Sequence, residues 1–170
     1  MAGHEAPAAD ITAVVVTYNP DPARLAQLCQ AVQPQVEHVA LVDNGSSAPA
    51  LSALQALVEG PSSALTLLAL GENRGIGAAQ NAGIALARQR SSRYVLLLDH
   101  DSIPENGMVA TLRAAIENQP AGSPPVAAAG PRYADARQTT NPSPFVQLEG
   151  FKRVRCECRH AGQLIEVEHL

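Results

Sequence analysis

The 170-residue sequence has no tryptophan and only three tyrosines and two phenylalanines. A core built on stacked rings is therefore excluded, and Val, Leu, Ile and Ala must do the packing. Charge is scarce as well: Asp, Glu, Lys and Arg make up 16%, the net charge is -4 and there is no basic run, which argues against a nucleic-acid partner. Small anions could still be met by local cations or backbone N–H groups. The cysteines, Cys29, Cys156 and Cys158, are odd in number, and Cys156-x-Cys158 has no second pair to complete a zinc site. They read as reduced thiols of a cytosolic protein. The opening "MAGHEAPAAD" lacks the basic stretch and apolar core of a signal peptide. No apolar run approaches the roughly 20 residues of a membrane span. The expectation is a soluble, cytoplasmic protein without a transmembrane segment.

What is present fits a compact α/β protein. With 46% hydrophobic residues, a chain of this length can bury a real core in one domain. "ITAVVVTYN" (11–19) is a β-branched run suited to a strand buried on both faces, and "PDPARLAQLCQAVQPQ" follows with Leu25, Leu28 and Val32 at helical spacing. "VEHVALVDNGSS" reads as a second strand ending in the turn signal Asp43-Asn44-Gly45. A short helix (50–58), a third strand in "SALTLLAL", a small-residue helix opened by "GENRGIGAAQNAGIALARQR" (71–90), a fourth strand "YVLLL" and a helix over 105–119 complete the series. A short strand is expected at Val126–Ala129, a polar loop over 132–144, and a hairpin in "FKRVRCECRHAGQLIEVEHL" turning at "HAG". Alternating strands and helices imply a mostly parallel sheet with right-handed crossovers.

Such sheets bind ligands beyond the carboxyl ends of their strands, and here those ends are polar. Strand one ends in Thr17-Tyr18-Asn19, strand two in Asp43-Asn44 and strand four in Asp99-His100-Asp101, while strand three leads into Glu72-Asn73-Arg74. If the fourth strand stays extended through its end, Asp99 and Asp101 point the same way and His100 the other. Two carboxylates in a crevice repel unless a cation neutralises them, and oxygen ligands suit Mg²⁺ or Mn²⁺. Taken alone, Asp-x-Asp reads as a solvated strand end; its place beside three other polar ends favours the metal. Asp43 could accept a hydrogen bond from a base or ribose, or close an Asx turn with Gly45. Tyr18 could stack on a base or close its strand. Gly75-x-Gly77 is a weak match to a dinucleotide fingerprint, since Gln80 occupies the third glycine position. His100 and the other histidines lack ligand spacing and are expected on the surface.

The segments "VVVTYNPDPARL", "ALVDNGSS", "GENRGIGAAQNAGIALA" and "YVLLLDHDSIP", in this order, resemble the nucleotide-binding half of family 2 glycosyltransferases of the GT-A (Rossmann-like) fold, in particular bacterial rhamnosyltransferases. The resemblance spans about residues 11–131. It implies that Thr17, Tyr18 and Asn19 line the nucleotide pocket and that Asp43 contacts the base. Arg74 and Asn81 would approach the diphosphate-sugar, Asp99 would bind ribose or metal, and Asp101 would be the direct metal ligand. It further implies dTDP-L-rhamnose as donor, with UDP-sugars as the main alternative, a saccharide or lipid-linked saccharide as acceptor, and inversion at the anomeric carbon. A lipid-linked acceptor would set the parent enzyme near the inner membrane face.

Three parts are expected: an unstructured stretch over 1–10, the donor-binding domain over 11–131, and a loop with hairpin over 132–170 that begins an acceptor-side half. The resemblance would place the general base beyond Leu170. A nucleotidyltransferase of similar fold would want a glycine-rich basic loop where this chain has "TYNPDPARL". A receiver-like signalling module would want an acidic end to strand three, which instead closes with Leu70-Gly71. A non-catalytic interaction module is the remaining alternative.

Overall fold

The computed structural model describes residues 8–60, 64–131, 146–149 and 152–155. The chain divides into two compact units, Met1–Ala110 and Thr111–Leu170. The division falls ahead of the 131/132 boundary expected from composition.

The first unit alternates strand and helix: β1 (Ala8–Thr17), α1 (Pro22–Val32), a 3₁₀ turn (Gln33–Gln35), β2 (Val36–Asp43), α2 (Ala48–Val58), β3 (Leu65–Ala69), α3 (Ile76–Gln89), β4 (Tyr94–Asp99) and the start of α4 (Met108–Glu117). All pairings in its sheet are parallel, and the order is β3-β2-β1-β4. This is the Rossmann-like sheet that the alternation of elements predicts. β1 starts at Ala8, paired with Val36, so three residues expected to be unstructured belong to the strand.

Strand alternation divides the core between the two faces of the sheet. Ile11, Ala13 and Val15 of β1 and Val39 and Leu41 of β2 pack with Leu25, Leu28, Cys29 and Val32 of α1, Leu54 of α2 and Val109 of α4. Val14, Ala40 and Val42 face the opposite way, toward Ala79 of α3. Each fully buried Leu or Val contributes about 1.5–3 kcal/mol, so the central strands β1 and β2 anchor the unit. On the second face α3 lies close, because a Cβ on Gly83 would come within 2.3 Å of Val14 Cγ1. β4 borders the sheet, and Leu97 on it is 45% exposed.

The second unit continues α4 and then runs irregularly to residue 131. The short strand expected at Val126–Ala129 does not form. Pro124 and Pro125 directly before it have no N–H to give a ladder, and three alanines add little β preference. Antiparallel strands β5 (Val146–Glu149) and β6 (Lys152–Arg155) pair with Val146 opposite Arg155 and Glu149 opposite Lys152. A hairpin therefore stands ahead of the one expected at "HAG", which lies outside the described residues, as does the loop over 132–144. Among the described residues no helix is long and apolar enough to cross a membrane.

Candidate functional site

In this strand order β1 and β4 are neighbours, while the chain leaves β1 toward β2 on the other side. That reversal opens a crevice at the carboxyl ends of the two strands. A cleft of about 320 Å³ lies there, lined by Val16, Thr17, Tyr18, Asn44, Ile76, Asp99, His100 and Asp101. Tyr18 and Ile76 contribute exposed apolar surface to the lining, at 50% and 57% exposure. Asp99, His100 and Asp101 make the polar wall.

The end of β4 departs from the extended path that the sequence suggests. The strand stops at Asp99, and the Ser102 amide donates to the Asp99 carbonyl at 3.1 Å, closing a turn over 99–102. Asp99 and Asp101 are thus not aligned by strand alternation, and His100 does not point away. It is half-buried and lines the cleft with both carboxylates. A turn forms because the outer strand runs out of partners just where Pro104 approaches, and Pro disfavours further ladder pairing. Both acidic side chains are exposed, and among the described residues neither carboxylate accepts a hydrogen bond or an ion pair.

Asp43 is the opposite case. It is 1% exposed. Its carboxylate accepts from the amides of Gly45 (3.3 Å) and Ser46 (3.0 Å), from the Thr17 hydroxyl (3.3 Å) and from the Ser46 hydroxyl. This is the Asx turn offered by Asp43-Asn44-Gly45. Gly45 has φ +85°, and a Cβ there would lie 2.5 Å from the Asn73 amide nitrogen, so both conformation and space require glycine.

Cross-links join the loops around this rim. The Asn19 amide donates to Ser46 Oγ at 2.8 Å, and the Ser47 amide donates to Asn19 Oδ1 at 2.9 Å. Asn19 takes the left-handed conformation, φ 45°, which asparagine tolerates better than most residues. Asn44 Nδ2 donates to Asn73 Oδ1 at 3.1 Å, while the Arg74 amide donates to Asn44 Oδ1 at 2.9 Å and the Gly75 amide to Asn73 Oδ1 at 3.0 Å. These two asparagines fasten the loop after β2 to the start of α3, whose own N-cap, Gly75, has no side chain to offer.

Of the residues singled out from sequence, the cleft gathers Thr17, Tyr18, Asp99 and Asp101. Thr17 floors it but is fully buried, with its hydroxyl turned to Asp43. Asn19, Asp43, Arg74 and Asn81 lie outside its lining. Asn19 and Asp43 serve the loops; Arg74 is exposed and its Nε pairs with Glu72 at 3.2 Å; Asn81 is exposed on α3. Asn44, Ile76 and His100 are lining residues that the sequence reading did not assign to a site. Only the Asx character of Asn44, directly after a buried strand, could have marked one of them.

The carboxylate pair can hold a cation only with help. Among the described residues no third Asp, Glu, His or Cys joins a metal-binding group. Two bare carboxylates suit Mg²⁺ or Mn²⁺ when the ligand's own phosphates complete the coordination.

Comparison with known proteins gives a family model, a curated relative and solved structures with partial likeness. The family model described as Glycosyl transferase family 2 matches residues 12–158, reaching beyond residue 131, where the resemblance read from sequence stops. A curated relative, the dTDP-rhamnosyl transferase RfbF of Shigella flexneri, is 30% identical over 110 residues, 65% of this chain and 36% of that protein. The chain thus spans little more than a third of its relative's length. Among solved structures, the mannosyltransferase PcManGT of Pyrobaculum calidifontis, in complex with GDP-Man and Mn²⁺, is 25% identical with a TM-score of 0.49, over 59% of this chain and 30% of that one. TarS (1–349) of S. aureus is 21% identical with a TM-score of 0.46, over 64% and 32% of the two chains.

Proposed function

The chain belongs to glycosyl transferase family 2, and from that premise we propose that its cleft binds a nucleoside-diphosphate sugar, with a divalent cation held at Asp101 and Asp99. The observation that carries this reading is the pair of carboxylates, unpartnered among the described residues, at the crevice between β1 and β4. Elsewhere on the same edge a carboxylate has been saturated by its own loop, so leaving two bare calls for a positive ligand. Tyr18 and Ile76 offer apolar surface against which a base or sugar ring can lie.

The donor we favour is dTDP-L-rhamnose, on the likeness to a dTDP-rhamnosyl transferase; UDP-sugars are the alternative to be tested beside it. In the whole protein, an acceptor hydroxyl of a saccharide or lipid-linked saccharide attacks the anomeric carbon, the bond to the diphosphate breaks, and a general base takes the hydroxyl proton. Configuration inverts. A bound Mg²⁺ or Mn²⁺ supplies charge neutralisation at the departing diphosphate. Asp99 and Asp101 hold that charge in place, and the cross-linked loops keep the lining preorganised. For this chain the proposal is donor binding; acceptor chemistry, a cytoplasmic setting and any approach to the inner membrane face are proposed for the whole protein.

Calorimetric titration of dTDP and UDP, with and without Mn²⁺, tests the reading. The unaltered chain should bind at least about tenfold more tightly with the metal, and Asp101→Asn should abolish that gain without shifting the unfolding midpoint. Equal affinity with and without Mn²⁺ overturns it.

A further inference from the structure

We infer that Arg24 is a positioning residue that pins the Asp101 main chain so that its carboxylate faces the cation, an inference that rests on the donor-site reading of the cleft. Arg24 stands in the first turn of α1, behind the cap formed by Asp21, whose Oδ1 accepts from the Arg24 amide at 2.9 Å. A cation there opposes the helix macrodipole, and the nearest carboxylate, that of the cap residue Asp21, is engaged by the Arg24 amide. The helix itself gains nothing from this placement. The compensation lies in the turn after β4, where Arg24 Nε donates to the Asp101 carbonyl at 2.9 Å, 77 residues along the chain.

Few other ties reach this turn. β4 is registered to β1 only as far as Asp99 opposite Val16, and beyond it the Ser102–Asp99 backbone bond closes the loop. Among the described residues Arg24 is the one side chain that hydrogen-bonds to the 99–102 turn. The choice of acceptor matters. A guanidinium paired with the Asp101 carboxylate would compete with a metal for the same oxygens. Bonded to the carbonyl, it immobilises the peptide and leaves both carboxylate oxygens available.

Two readouts on Arg24→Met, which keeps the stem and removes the donor, test the inference. The first needs no ligand: NMR-detected exchange of the Ser102 amide should quicken when the turn loses its clamp. The second is the gain in dTDP affinity on adding Mn²⁺, which should fall about tenfold, while metal-free affinity and the unfolding midpoint stay at the unaltered values. Arg24→Lys, which restores a donor and the charge, should recover most of both. Should Arg24→Met not fold, Arg24→Leu, which also lacks a donor, is read in the same way. Unchanged Ser102 exchange together with an unchanged Mn²⁺ gain in the variant overturns the role of Arg24 alone. Absence of any Mn²⁺ gain in the unaltered chain overturns the donor-site reading, and this inference with it.

Discussion

Asp43 closes β2 and Asp99 closes β4, each after an apolar run, on the same edge of one sheet. Their surroundings could hardly differ more. Asp43 is buried and meets four donors, two amides and two hydroxyls. Asp99 and Asp101 are exposed and meet none among the described residues. Register explains part of the contrast. Asp43 pairs with Thr17 and Asp99 with Val16, so one residue of alternation sends the two side chains to opposite faces of the sheet. Neighbouring glycine and serine explain the rest, because they let the chain fold its amides back over Asp43. An acidic strand end becomes scaffold when local donors surround it and stays chemically available when they do not.

The contrast can be broken at its stronger side. Asp43→Ala strands two loop amides and the Ser46 hydroxyl, and urea denaturation should show a loss of about 2–4 kcal/mol. Asp101→Asn on the same assay should stay within about 0.5 kcal/mol. Equal losses would erase the distinction between scaffold and site. Next in size, Gly45→Ala strains a positive φ and drives a methyl against the Asn73 backbone. It should cost about 1–3 kcal/mol and weaken nucleotide binding only in proportion to unfolding.

The smallest effect sharpens the comparison from within β2. His38 is also buried, and its Nε2 meets Thr66 Oγ1 at 2.9 Å, but its Nδ1 has no partner among the described residues. Burial, reinforced by the charge of Arg90 and opposed by that of Glu37, lowers its pKa from the ordinary 6.5. The unfolded chain then takes up a proton on His38 at a higher pH than the folded one. Stability from this group is complete above pH 6.5 and declines as the pH falls below it. Urea midpoints at pH 7.5 and 5.5 should differ more for the unaltered chain than for His38→Gln. An identical pH difference in both would assign the acid sensitivity elsewhere.

Composition and period made the architecture readable. β-Branched runs marked β1 and β2, helical spacing of Leu25, Leu28 and Val32 marked α1, and polar residues at strand ends marked the edge where the cleft lies. Several details become visible only in the folded chain. No local pattern tells that β4 ends in a turn, which brings His100 into the cleft. The partners of Asp43, though near in sequence, are engaged only because Gly45 can adopt a positive φ against the Asn73 backbone. The Arg24–Asp101 contact joins helix α1 to the turn after β4; its only sequence trace is a cation where a helix disfavours one. Asn44 and Asn73 look like ordinary loop residues until the fold brings them together.

Gly83 has a consequence beyond packing. With no side chain between it and Val14, α3 rests directly on the central strand and has no slack in that direction. Ile76, at the start of the same helix, is seven positions away, about 10 Å along its axis. Reshaping the cleft for a bulkier ligand would therefore begin at the seat of this helix: trimming Val14 would let the whole rod settle and carry Ile76 with it, whereas enlarging residue 83 would lever that wall outward.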